Sequence, residues 1–372
     1  MVFFGAFLYN GCMDKKKLLL IDGSSVAFRA FFALYQQLDR FKNAAGLHTN
    51  AIYGFQLMLS HLLERVEPSH ILVAFDAGKT TFRTEMYADY KGGRAKTPDE
   101  FREQFPFIRE LLDHMGIRHY ELAQYEADDI IGTLDKLAEQ DGFDITIVSG
   151  DKDLIQLTDE HTVVEISKKG VAEFEAFTPE YLMEKMGITP TQFIDLKALM
   201  GDKSDNIPGI PGIGEKTGIK LLLEYKTVQG VLDNVDKLKG AQKKKVEENM
   251  ESALMSKDLA TIFREVPLDY SLDQMAFGEF SVEEVVKAFQ ELKFTSLIAR
   301  LNDLTGQEDQ AADIEICKLT DFDAFIDQVK DRGQIFMKVF RTDANILDQD
   351  VYMTYLSLGN DKLYRVHGDD IL

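Results

Sequence analysis

Three short apolar runs each end on, or lead directly into, an aspartate. "KLLLID" (17–22) ends on Asp22, "HILVAFD" (70–76) on Asp76 and "DITIVSGD" (144–151) on Asp151. Uninterrupted apolar runs of this length suit strands covered on both faces of a sheet. Helical patterns lie between them: "AIYGFQLMLSHLLERV" (51–66) and "DDIIGTLDKLAEQ" (128–140). Strand–helix alternation specifies an α/β fold with a mostly parallel sheet. In such sheets ligands bind beyond the carboxyl ends of the strands, so the three aspartates are expected on one rim.

More acids join them. "QYEADDIIGTL" (124–134) supplies Glu126, Asp128 and Asp129, "SGDKDL" adds Asp153, and "MGDKSDNIPG" adds Asp202 and Asp205. Each motif alone has a plain structural reading. Acids at a helix start complement its dipole, and an aspartate in a turn caps the helix that follows. Together they bring as many as nine carboxylates to one rim. At about 5 Å and an effective dielectric near 20, each like-charged pair costs roughly 3 kcal/mol. Cations or upward pKa shifts must relieve that repulsion. A donor set of oxygen alone, without His or Cys, selects Mg²⁺ or Mn²⁺. An EF-hand does not fit, because Ile155 and Gln156 occupy its expected Asx and Gly positions. Two divalent ions would balance only four of nine charges, so some carboxylates would hold metal-bound water. A metal pair suits phosphodiester hydrolysis, activating water and stabilising the leaving oxygen.

Two segments supply the contacts that a phosphodiester needs. "TTFRTEMYADYKGGRAKTPDEFREQF" (80–105) carries Arg83, Lys91, Arg94, Lys96 and Arg102 among Phe and Tyr, and reads as an exposed, mobile excursion. "IPGIPGIGEKTGIKLL" (207–222) places Gly209, Gly212, Gly214 and Gly218 around a turn into a helix, followed by Lys216, Thr217 and Lys220. Backbone N–H groups at such a helix start can grip a phosphate without reading sequence. The plain alternative is a helix–loop–helix with glycine turns.

The net charge of −21 argues against nucleic acid as a partner, but a local basic strip can still hold phosphates. The two cysteines, Cys12 and Cys317, make neither a disulfide framework nor a metal motif, which fits a reducing cytoplasm. The apolar start, residues 2–9, is too short to span a membrane. Residues 1–14 are expected to be a non-native or disordered extension, Met13 being a more natural start. From about 179 the chain turns helical. "TGQEDQAAD" (305–313) reads as a linker, and a new α/β pattern begins at 314. No internal repeat is present.

"LLLIDGSSVAFRAFFA", "AFDAGKTTFRTEMYADYKGGRAKTPDEF", "YEADDIIGTL", "VSGDKDLIQL" and "ALMGDKSDNIPGIPGIGEKTG" resemble, in order, the N-terminal 5′-nuclease region of bacterial DNA polymerase I and the wider flap-endonuclease superfamily. The resemblance covers roughly residues 15–300. It implies a PIN-like (Rossmann-like) catalytic domain over 15–185 with a helical arch at about 80–110, and a helix-hairpin-helix subdomain over 186–304. It implies one metal cluster of Asp22, Asp76, Glu126, Asp128, Asp129 and Asp151, and a second of Asp153, Asp202 and Asp205. Arg29, Arg83, Lys91 and Arg94 match the family's basic residues near the 5′ phosphate, and the hairpin of that family often binds a monovalent cation such as K⁺. The implied substrate is DNA with a 5′ flap, nick or 5′ end, cut by a monomer. Two rival readings are a non-catalytic DNA-junction binder, opposed by the intact acid set, and a Mg²⁺ phosphatase, opposed by the hairpin.

Residues 314–372 are similar to the start of a 3′–5′ exonuclease-like domain, with Val339 and Arg341 where an active one has Asp and Glu. The chain reads as a fragment or truncated frame of a longer polymerase. Its last segment is expected to be disordered or to self-associate through unpaired strand edges.

Overall fold

The computed structural model describes residues 16–367 apart from 79, 95, 169–172, 279, 306–314, 320–321, 334, 342–350 and 359–361. The expected extension at 1–14, and the linker beyond Thr305, lie outside the described residues. Two compact units divide after Thr305.

The first unit is built on a six-stranded sheet. Its strands are β1 (Lys17–Asp22), β2 (His70–Ala74), β3 (Arg118–Tyr120), β4 (Asp144–Ser149), β5 (Thr162–Ser167) and β6 (Phe174–Phe177), in the order β3-β2-β1-β4-β5-β6. All neighbouring pairs are parallel except β5–β6. The apolar run of β1 serves both faces by simple alternation. Leu18 and Leu20 pack with Ile130, Ile131 and Leu134 of helix Ala127–Gln140. Leu19 and Ile21 pack with Val26 and Phe31 of helix Gly23–Ala33, and with Ile52, Phe55 and Leu59 of helix Asn50–Val66. Burial on both sides is why β1 carries no polar residue between Lys17 and Asp22.

Beyond β6 the unit is helical. Thr178 caps helix Pro179–Met186 by accepting the Tyr181 N–H at 3.2 Å. Helices Pro190–Met200, Glu215–Tyr225, Gly240–Glu248 and Met250–Ala260 follow, then Val282–Glu291 and Thr295–Thr305. Among the described residues no helix is long and apolar enough to cross a membrane.

The 80–105 segment departs from the expected exposed excursion. Among its described residues it is helical at Phe82–Met86 and Asp99–Arg102 and at Phe105, where helix Phe105–His114 begins, with turns over 88–93. Arg83, Tyr90 and Phe101 are 2%, 5% and 3% exposed. The segment closes against the body because Arg83 and Tyr90 carry polar groups that find partners there.

The described residues of the second unit form strands and a helix, where disorder or association through strand edges was expected. Strands β7 (Glu315–Lys318), β8 (Phe336–Arg341), β9 (Val351–Ser357) and β10 (Lys362–His367) form a sheet in the order β7-β10-β9-β8. Leu319, Phe325, Leu358 and Val366 make its small core, with Phe325 on helix Phe322–Arg332.

Candidate active site

Strands β1 and β4 are neighbours, and from them the strand order runs 1-2-3 to one side and 4-5 to the other. Such a reversal opens a crevice at the carboxyl ends. Asp22, the last residue of β1, caps the next helix by accepting the Ser25 N–H at 3.0 Å and takes the Ser149 hydroxyl at 2.7 Å. Burial, and then the neighbouring charges of Asp76 and Asp151, push its carboxyl up to about 7. Asp76 is exposed and accepts the Ala127 N–H at 3.0 Å, which ties it to the start of helix Ala127–Gln140. Asp151 accepts the Asp153 N–H at 3.0 Å, and its own N–H donates to the Ser149 hydroxyl at 2.9 Å. Asp128, in the first turn of helix Ala127–Gln140, is pushed well above the usual carboxylate range by burial, then by Asp22 and Asp151. Among the described residues no ion pair within 4.0 Å neutralises Asp22, Asp76, Asp128 or Asp151.

A second group surrounds Tyr90. Its buried hydroxyl lies 3.2 Å from Glu126 Oε2 and 3.3 Å from Asp205 Oδ2, one phenolic proton between two carboxylates. Burial and those two charges push its pKa up, so it remains a donor. Lys91 has a left-handed backbone, φ 56°, which aims its N–H at the Asp205 carbonyl at 2.8 Å while its Nζ reaches Glu126 Oε2 at 2.9 Å. Arg94 pairs with Asp205 Oδ1 at 2.5 Å. Lys91 is thus enclosed by the site rather than displayed on an exposed arch.

In a third group Lys197 bridges Asp153 and Asp202. Burial, then Asp151, push the Asp153 carboxyl up to about 7. Burial opposes ionisation of Asp202 too, but hydrogen bonds from Lys197 and Ser204 prevail and lower its pKa.

Four of the expected site residues are engaged within the protein itself. Asp129 does not present itself as a metal ligand. Both its oxygens bind the Arg83 guanidinium at 2.7 Å, and they also accept the Phe263 N–H at 2.9 Å and the Glu126 N–H at 3.1 Å. Arg83, consumed by that fork and by the Leu259 and Thr261 carbonyls at 3.0 and 2.8 Å, is not available to a phosphate. Arg29 is held by the Ser167 hydroxyl and the Ser167 and Lys168 carbonyls beyond β5. Asp205 meets Glu126 through Tyr90 and its charge also raises the Asp153 pKa, while Asp153 and Asp202 share Lys197.

Sequence reasoning also missed Tyr90, Lys197 and Ser149. Tyr90 had a signal, an aromatic beside Lys91 in the basic segment. Lys197 is the one cation of "FIDLKALM", two residues after Asp195, and Ser149 lies two residues before Asp151.

The donor chemistry fits a hard divalent cation, being oxygen throughout with four carboxyl groups lacking an internal cation. The side chains do not themselves close into a cage: among the described residues no three acidic, His or Cys groups converge at metal-binding geometry.

The hairpin lies beside the third group. Asp202 and Ile207 exchange backbone hydrogen bonds at 2.9 and 2.8 Å, closing the loop that carries Ser204 and Asp205. Gly209 has φ +58°, and a Cβ there would lie 2.2 Å from the Gly201 nitrogen, so no other residue fits this crossing. At Gly212, φ +78°, the space a Cβ would take holds the Lys245 ammonium. Gly214 precedes helix Glu215–Tyr225, and Lys216 and Lys220 are exposed while Thr217 is half-buried.

Two models of one family match consecutive stretches of the chain: "5′-3′ exonuclease, N-terminal resolvase-like domain" over residues 17–187, and "5′-3′ exonuclease, C-terminal SAM fold" over 188–283. The chain belongs to the 5′-3′ exonuclease family. It carries a 5′-3′ exonuclease domain of the kind found in DNA polymerase I. The DNA polymerase I of Streptococcus pneumoniae (strain ATCC BAA-255 / R6) is 70% identical over 335 residues, covering 89% of this chain and 38% of that protein. The chain therefore spans well under half the length of the curated relatives it matches. Among solved structures, a bacteriophage T5 flap endonuclease in a pseudo-enzyme-product complex with DNA and metal ions superposes with a TM-score of 0.55 at 21% identity, covering 79% of this chain and 100% of that one. The catalytic core of Rad2 in complex with DNA substrate gives 0.51 at 16% identity, covering 77% and 92%. These two likenesses concern the fold.

Proposed function

We propose that the chain is a divalent-metal-dependent 5′→3′ exonuclease and structure-specific 5′-flap endonuclease acting on DNA in replication and repair. The observation that carries this reading is the set of four carboxyl groups without an internal cation at the crevice of a 5′-3′ exonuclease fold. Asp22, Asp76, Glu126, Asp128 and Asp151 would hold one Mg²⁺ or Mn²⁺ ion, and Asp153, Asp202 and Asp205 a second. Bound there, the ions would supply Lewis-acid activation of water and charge stabilisation at the leaving oxygen.

The chain's own residues position the substrate. Lys91 and Arg94 neutralise Glu126 and Asp205 in the free protein and turn to phosphate oxygens when a strand enters. Tyr90 holds those two carboxylates apart by sharing its proton. The turn from Gly209 through Gly212 and Gly214, with Lys216, Thr217 and Lys220, grips the duplex backbone, with K⁺ as a candidate ligand of its carbonyls. Working as a monomer in the cytoplasm, within a DNA polymerase I whose other domains extend the relatives, it would remove flaps and primers. Incubating a 5′-labelled flap duplex with and without Mg²⁺, and mapping the cut, tests the proposal. Failure to cut near the flap junction in Mg²⁺ would overturn it.

A further inference from the structure

Helix Met250–Ala260 touches both halves of this machinery. Near its start Ser252 donates to the Gly209 carbonyl at 2.8 Å, and the buried Ser256 accepts the Gly209 N–H at 2.9 Å. Four residues apart, the two hydroxyls share one face of the helix and hold both polar groups of the crossing glycine. At the other end the ties run to the acid rim. Gln156 donates to the Ala260 carbonyl at 3.0 Å and the Asp153 carbonyl at 2.9 Å, and accepts the Ile262 N–H at 2.9 Å. Arg83 donates to the Leu259 carbonyl at 3.0 Å while gripping Asp129, next to Asp128. Ser252 to Ala260 spans about 12 Å of helix, with no glycine or proline to bend it.

We infer that helix Met250–Ala260 is a ruler. It fixes the phosphate-gripping turn at a set distance from the acid rim and so selects which phosphodiester is cut. Ser252, Ser256 and Gln156 are its positioning residues. The inference rests on the nuclease reading above. A turn that holds backbone phosphates reads no bases, so the cut position must come from distance.

The test is a 5′-labelled flap duplex cut by the full chain under single-turnover conditions, with products resolved to one nucleotide and duplex affinity measured across salt. In Ser252→Ala/Ser256→Ala the cuts should spread to neighbouring positions and the rate fall ~10-fold, with the salt slope of binding unchanged. Gln156→Leu, at the far end, should scatter the cuts in the same way, and Ser252→Thr, which keeps the hydroxyl, should leave a single product. Ser252→Ala alone, at a half-buried position, serves if the double variant does not fold. One sharp product at the wild-type position in both variants overturns the ruler, and so does a slower rate without scatter. A wild-type chain that leaves the flap uncut in Mg²⁺ overturns the nuclease reading itself, a distinct result.

Discussion

Two sides of helix Ala127–Gln140 hold the same residue type in opposite electrostatic settings. Asp128 faces the crevice with Asp22 and Asp151 as neighbours, and burial and those charges raise its pKa. Asp129, one position on, is fully buried and forked onto Arg83. Farther along the helix, the buried Asp135 pairs with Arg264 at 2.7 Å and takes the Thr162 hydroxyl at 2.7 Å. Adjacent helical residues point about 100° apart, so one acid is supplied with an internal cation and the other is not. An aspartate that owns its counter-charge is part of the framework. One that lacks it is poised for a charge from outside.

Removing the counter-charge should break the framework side first. Arg83→Ala leaves Asp129 buried and unpaired, and should cost ~3–5 kcal/mol of unfolding free energy in a urea titration. A loss under about 1 kcal/mol would erase the distinction between the two sides. On the crevice side Asp128→Asn, or Asp151→Asn, should lower flap cleavage at least ~10²-fold while keeping duplex binding. Its melting temperature should hold or rise, because a like charge is gone. A clear drop in melting temperature would place Asp128 in the framework after all.

Lys91→Ala sharpens the contrast between group and rim. Cleavage should fall ~10-fold or more, and the Mg²⁺ titration of a spectroscopic melting shift should move to lower concentration, since an ammonium no longer competes at Glu126. An unchanged titration would detach Lys91 from the cation site.

The smallest effect is on pH. Asp22 and Asp153 on the crevice side and Asp135 on the framework side are each pushed up to about 7, burial being the first cause. Between about pH 4 and 7 the folded chain therefore binds more protons than the unfolded one, and stability falls as pH rises through that window. Mg²⁺ should restore the crevice share and leave the Asp135 share. Urea midpoints at pH 5 and 8, with and without Mg²⁺ and in Asp135→Asn, separate the two. A midpoint that rises with pH in metal-free buffer would contradict the assignment.

The sheet was legible where burial on both faces demands a long apolar run, as in β1, β2 and β4. The three-residue β3, β5 with Glu165 inside it, and the edge strand β6 carried no such run and went unread. The helices Pro179–Met186 and Pro190–Met200 announced themselves by Thr-Pro starts, since Thr caps and Pro suits the first turn. In the site, the acids beside the strand ends could be assigned to the rim because strand direction carries them there. Tyr90 could not, because its partners lie 36 and 115 residues away, and the bridge made by Lys197 could not, because one of its two acids lies 44 residues away and only the other is local.

The amino-acid order alone determined the α/β alternation, the rim on which Asp22, Asp76 and Asp151 arrive, and the glycine turn before Glu215–Tyr225. Those follow from local periodicity and from backbone angles that few residues can adopt. Only the tertiary structure decided which acids keep an internal cation. Arg83, Lys91 and Lys197 choose among carboxylates by three-dimensional proximity, and at a few ångströms a charge responds to distance through space, whatever the separation along the chain.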